Sequence, residues 1–242
     1  MITAECQHES RHESKTRLLE AALHVIRAKG YSATRVEDIC EAASLTKGSF
    51  FHHFKSKDDL ALAAVAHWEA MTEDLFAGAP YHEPADPLDR LLGYLDFRAA
   101  ILTGELADYT CLLGTLIQET YATHPKIRAA CERALSAHIA ELTRDVEAAR
   151  QLYSPTAPWS AESVGNFIQA VLQGSFILAK AKQGPEVIRQ NLEHLRRTLR
   201  ALLQPDSHVD TNKTEQHPAT SHAKPVEEPE EEYDSRLSHF VD

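Results

Sequence analysis

Between residues 34 and 54 the chain sets two short apolar runs back to back, each headed by a cap residue, with only Ala43, Ser44 and Leu45 between them. No other feature of the sequence constrains the fold as much. Thr34 and Glu37 have capping-box spacing and open the first run, residues 35–42, with Val36, Ile39 and Cys40 turned inward. Thr46 opens the second, TKGSFFHHF. A longer helix precedes both over residues 14–29. There Leu19, Ala22, Leu23 and Ile26 recur at i, i+3, i+4 and i+7, Leu18 widens the stripe, and Gly30 ends it. Two short helices joined by a tight turn and propped by a longer one describe a helix-turn-helix, whose second helix enters the major groove of DNA. A duplex requires a locally positive face. The chain as a whole carries −11, yet residues 14–57 hold eight Lys or Arg against four Asp or Glu.

Within TKGSFFHHF, Phe50 and Phe54 lie four apart and form one buried stripe. Together with Leu19, Leu23, Val36 and Ile39 they are the expected core. Gly48 removes a side chain where a backbone can approach closely. Thr46, Lys47, Ser49, His52 and His53 remain as polar groups. A metal site on His52 and His53 is not expected, because adjacent helical positions diverge by about 100° and no nearby cysteine or carboxylate completes a ligand set.

The rest of the chain also reads as helix, with no convincing alternating strand. Ser56 and Asp59 repeat the capping signal ahead of a long helix over 57–76. A break rich in Gly and Pro follows at 77–87. Further helices are predicted over 88–102, 109–121, 125–152 and 162–182, and a ninth ends near 203. The expected fold is therefore all-α with about nine helices. Its parts are a flexible N-terminus (1–13), a three-helix helix-turn-helix domain (14–60), a larger helical effector-binding and dimerisation domain (61–204) and a disordered acidic tail (205–242). The tail has ten acidic residues against three basic ones and includes EEPEEE at 227–232.

Four cysteines, Cys6, Cys40, Cys111 and Cys131, show no close metal-site spacing. The N-terminus lacks the apolar stretch of a secretory signal, and no run reaches the roughly 18 apolar residues of a membrane span. A cytoplasmic protein with no membrane partner and no disulfide framework is expected.

The run AASLTKGSFFHHFKSKDDL, residues 42–60, resembles the signature of the TetR family of bacterial transcriptional repressors, and RLLEAALHVIRAKGYSATRVEDICEAA, residues 17–43, follows the same pattern. Helices beyond residue 60 resemble the family in length and number only. The resemblance implies a repressor that binds a palindromic operator in double-stranded DNA as a homodimer and is released by a small-molecule inducer. It implies that Thr46 and Lys47 meet base edges or phosphates at the start of the reading helix. Capping alone also explains Thr46, and solvation alone explains Lys47. Ser49 and His52 lie along the exposed face as readers. Lys57 resembles the lysine that faces the DNA backbone at the start of the fourth helix, where helix-start amides also favour phosphate. Thr34 and Arg35 would clamp the phosphate on the other side, although capping alone accounts for Thr34. One position departs from the family pattern. Phe51 stands where the family usually has a tyrosine, whose hydroxyl meets a phosphate, and Phe51 cannot make that bond.

In the family the last two helices form a four-helix bundle with the partner. Here Val164, Phe167, Ile168, Val171, Leu172 and Ser175 on one helix, and Val187, Ile188, Leu192, Leu195 and Leu199 on the next, are the candidates. Packing within one chain is the alternative. The ligand pocket should lie among the fourth to eighth helices, with Trp68, Tyr94, Phe97, Tyr109, Cys111, Tyr121, His138, Phe167 and Gln173 as candidate contacts. Such an aromatic lining suits a small apolar or aromatic effector. The segment TCLLGTL, residues 110–116, is similar to one in a subset of the family, some of whose members sense electrophiles or oxidants through cysteine. Asp108 is the expected cap of that helix, and a thiol near a helix start is activated; a buried, inert cysteine is the alternative for Cys111.

Two other functional classes compete with a regulator. No nucleophile, base and orienter stand at useful spacing, and no HExxH or glycine-rich loop occurs, so an enzyme and a bound cofactor are not expected. A non-specific DNA-binding or protein-interaction module stays open because of Phe51 and the acidic tail.

Overall fold

The computed structural model describes residues 4–203, with side chains from residue 12 onward. The acidic segment 205–242 lies outside the described residues. Ten α-helices and one 3-10 turn are present among the described residues, and no strand. The first helix, α1 (Ala4–Lys29), begins well before the expected start at Ser14, so the N-terminus expected to be flexible is helical from Ala4. Leu18, Ala22 and Ile26 on its apolar stripe are fully buried. Gly30, at φ 88°, turns the chain out of the helix in a conformation that suits glycine.

Next come α2 (Val36–Ala42) and α3 (Lys47–His53). The expected Thr34/Glu37 capping box is replaced by one shifted a single residue along. Arg35 is the N-cap of α2, and its backbone N–H donates to Asp38 at 2.7 Å. Thr34 is instead buried, with its hydroxyl donating to the Gly30 carbonyl at 2.6 Å. The cap of α3 is as expected: Thr46 Oγ1 accepts from the Ser49 N–H at 3.2 Å. Ser44, in the turn between α2 and α3, sits at φ 52°. The turn is closed by Ser44 N–H to Glu41 O and Leu45 N–H to Cys40 O.

Ser56 caps α4 (Lys57–Ala77), and a 3-10 turn (Pro80–His82) leads to α5 (Pro87–Ala100). The single helix expected over 109–121 is two. Asp108 closes a capping box with Glu105 at the start of α6 (Leu106–Tyr109), and the chain extends through Thr110 before α7 (Leu112–Thr120). Asp108 therefore does not cap α7, whose N-cap is Cys111 itself. Then follow α8 (Pro125–Tyr153), α9 (Ala161–Lys182) and α10 (Glu186–Leu203).

Among the described residues two apolar cores form. One joins α1–α4 to Leu112, Leu116, Ile127 and Cys131 of α7 and α8. The other joins α5, α8, α9 and α10. Since α7 and the start of α8 help to build the N-terminal core, that core extends well past residue 60. Val164, Ile168, Leu172 and Ser175 of α9, and Val187, Ile188, Leu192, Leu195 and Leu199 of α10, are buried within the one chain. Their expected place in an interchain bundle is corrected. The outward apolar stripe of α9 is Phe167 and Leu178, each at least 41% exposed. Phe167 and Leu178 border a shallow groove with Ala170, Gly174, His194 and Thr198.

Candidate nucleic-acid interface and effector cavity

The face of α3 is set from behind by Phe50 and Phe54, which are 0% and 3% exposed. Thr46, Lys47, Phe51 and His52 lie on its outer side, and Ser49 is half-buried. Lys47 pairs with Glu37 of α2 across the helix-turn-helix, and both side chains are at least half exposed. A pair so exposed adds little stability and yields readily to a competing anion. His53 turns back toward α1, where its Nε2 lies 2.8 Å from Ser14 Oγ.

Phe51, 58% exposed, stands outside the core with its ring edge-on to Phe50. A phenol there would point to the same side as Lys47 and His52. Phe51→Tyr is expected to tighten binding to any duplex by about 1 kcal/mol, read by titration against specific and random DNA. Lower thermal stability without higher affinity would contradict this placement.

Among the other expected phosphate contacts, Arg35 is exposed, and among the described residues its guanidinium is held only by Asp38, at 3.5 Å. Thr34 cannot serve, because it is buried with its hydroxyl committed to Gly30. Lys57 is engaged internally, with Nζ donating to the carbonyls of Tyr31 and Thr34 at 2.9 and 3.0 Å and lying over the Tyr31 ring. The start of α4 also carries Asp58 and Asp59 in its first turn, which oppose an incoming phosphate.

A cavity of about 120 Å³ lies among α4, α5, α7, α8 and α9. Of the nine expected contacts, Trp68, Tyr109, Cys111, His138 and Gln173 line it. The other four do not. Tyr94 is buried behind the wall, where its hydroxyl meets His138 Nε2 at 3.0 Å. Phe97 packs into the neighbouring core. Tyr121 is 62% exposed at the end of α7, and Phe167 lies on the outer groove of α9. Arg98 and Gln169 also line the cavity, and no local signal in the sequence points to them.

Burial, with a smaller push from Arg98, brings the His138 imidazole from 6.5 down to about 4. Folded His138 stays neutral while its unfolded counterpart takes up a proton as the pH falls below 6.5. The linked stability is fully present above pH 6.5 and is lost as the pH falls to about 4, in total about 3 kcal/mol. His138→Gln should therefore narrow the difference between melting temperatures at pH 7 and pH 4.5. The same difference in both proteins would contradict a buried neutral imidazole.

Residues 18–64 match the family description "Bacterial regulatory proteins, tetR family", and residues 87–194 match "Transcriptional regulator LmrA/YxaF-like, C-terminal domain". The two matches together cover well over half of the chain. It belongs to the TetR family. The chain is similar to the transcriptional regulator AcuR of Cereibacter sphaeroides, 28% identical over 172 residues, which cover 70% of this chain and 77% of AcuR. It is similar to the repressor NemR of Escherichia coli, 22% identical over 76% of this chain and 93% of NemR. The crystal structure of a TetR transcriptional regulator from Chloroflexus aurantiacus superposes with a TM-score of 0.70 at 21% identity, covering 81% of this chain and 98% of that one. The crystal structure of the reduced form of E. coli NemR does so with a TM-score of 0.63 at 21% identity, over 76% and 96%. These likenesses establish the fold.

In this TetR-family chain two long-range links tie the cavity wall to the reading head. At one end Arg27 of α1 donates to the carbonyls of Asp108 and Thr110, which flank the segment leading into Cys111. Its guanidinium also lies over Trp68, 4.9 Å from the ring centre. At the other end Glu119 of α7 accepts from the N–H groups of Tyr31 and Ser32, just after α1. The end of α1 is thus hydrogen-bonded to both α6 and α7. Nothing local in the sequence announces these links, since each joins residues more than 80 positions apart.

Proposed function

We propose that this chain represses transcription by binding a palindromic operator as a homodimer, one α3 per half-site, and lets go when a small apolar or aromatic effector enters the α4–α9 cavity. The observation that carries the reading is the exposed face of α3, with Thr46, Lys47 and His52 outward on a helix anchored by buried Phe50 and Phe54. The contact residues are Arg35, Thr46, Lys47, Ser49, Phe51 and His52. The partner chain covers the Phe167–Leu178 stripe of α9, whose groove of small residues permits close helix approach. The effector acts through the Arg27 and Glu119 links, moving α1 and so changing the separation of the two reading helices. The protein is cytoplasmic and non-enzymatic on this reading. Among the described residues no helix is long and apolar enough to cross a membrane. Nuclease protection of the DNA flanking its own gene should show two protected half-sites related by two-fold symmetry. Uniform protection of any duplex would support a non-specific module instead.

A second reading rests on Cys111, a half-buried thiol at the start of α7 that lines the cavity. Cys40, the main confounder, is 5% exposed, and burial raises its thiol pKa. On this reading a quinone should release DNA from Cys40→Ser but not from Cys111→Ser, with the adduct mass on Cys111. Equal release from Cys111→Ser and the parent would leave reversible binding in the cavity as the mechanism.

A further inference from the structure

On the reading of the α4–α9 cavity as the effector site, we propose that the effector is a small organic carboxylate, a single-ring or short-chain acid held by Arg98.

Arg98, near the end of α5, is half-buried and lines the cavity. Its guanidinium is collared by aromatic rings, 5.3 Å from Phe76, 5.5 Å from Phe176 and 5.9 Å from Tyr94. Among the described residues no carboxylate lies within ion-pair distance of it. Other half-buried arginines of this region are paired: Arg90 with Asp145, and Arg196 with Asp96. The rings offset part of the cost of holding a cation away from water, but they supply no counter-charge.

Among the described residues the only acidic one on the cavity wall is Glu69, which is exposed. His138 is neutral in the fold at physiological pH, so the positive character of the wall is that of Arg98.

On the cavity face of α9, Gln173 has a buried Nε2 without a partner, and Gln169, only 9% exposed, has a buried Oε1 without one. A native interior rarely leaves such groups unmatched. A carboxylate takes charge-assisted bonds from Arg98 and a further bond from the Gln173 amide. The Gln169 oxygen adds a place for a hydroxyl or N–H on the same molecule.

Size sets the last limit. The cavity of about 120 Å³ approaches the roughly 150 Å³ that accepts a benzene molecule. One ring or a short chain fits, and its body meets Trp68, Leu172 and Phe176.

Calorimetric titration of the full-length protein with benzoate, benzamide, hexanoate and hexanamide tests this. Each acid is expected to bind about ten-fold or more tightly than its neutral amide. Arg98→Gln should erase that preference, and Arg98→Lys, which keeps the charge, should retain part of it. Circular dichroism melts confirm that each variant is folded. Equal binding of acid and amide by the wild type, or a preference that survives Arg98→Gln, would overturn the carboxylate assignment. Binding of the amides alone would overturn it too, while leaving the cavity as an effector site. If neither acids nor amides bind at millimolar concentration, both the assignment and the effector-site reading fail.

Discussion

Lys47→Ala is expected to weaken operator binding roughly 30- to 20,000-fold while leaving the fold intact. A good side-chain contact to a base edge contributes about 1–3 kcal/mol, and a two-fold symmetric dimer loses one at each half-site. The fold should survive because Lys47 is exposed and pairs with a carboxylate, that of Glu37, which is exposed as well. The variant also frees Glu37, whose carboxylate then faces the duplex uncompensated, so the loss should shrink in the Lys47→Ala, Glu37→Gln double variant. Titration of the operator duplex at physiological salt reads both effects. An unchanged dissociation constant for Lys47→Ala would remove Lys47 from the interface.

Phe50→Ala should be the most damaging single truncation in the reading head, costing about 3–5 kcal/mol. Phe50 is fully buried and touches Phe51 and Phe54, with ring centres 5.2 and 5.7 Å away. A helix of seven residues cannot hold itself together in water, so its order comes from this anchor. Loss of the ring should therefore lower the melting temperature and abolish specific binding together. Phe51→Ala, one residue along and exposed, should leave stability within about 0.5 kcal/mol. Equal destabilisation by the two variants would mean that the helix is rotated from the orientation described.

The reading head was largely legible in the sequence because its signals are local. The i, i+3, i+4 stripe of α1, the Thr46 and Ser56 caps and the Phe50/Phe54 pair each lie within a turn or two of what they determine. Local signals mislead where two local solutions compete. Thr34-Arg35-Val36-Glu37-Asp38 offers acids at both positions that could close a capping box, and the buried hydroxyl bond of Thr34 to Gly30 selects Asp38. Neither glycine nor proline marks the break at Thr110, so nothing local in the sequence separates α6 from α7. In the larger domain, α9 is apolar around most of its circumference, so periodicity alone does not tell its inner face from the one left for a partner. Leu172 went inside and Leu178 outside. Arg98, in the last turn of an amphipathic helix, reads as an ordinary solvated cation until Phe76 and Phe176 are seen beside it. The Glu119 link to Tyr31 and Ser32 depends wholly on tertiary approach.

Selection of duplexes from a random-sequence pool, followed by titration of the winner at physiological salt, tests the central claim most directly. The account predicts one enriched palindrome, its half-sites one helical turn or a multiple apart, bound by two copies of the chain about a thousand-fold or more tightly than a scrambled duplex. No enriched sequence, with every duplex bound alike and binding falling steeply as salt rises, would contradict it.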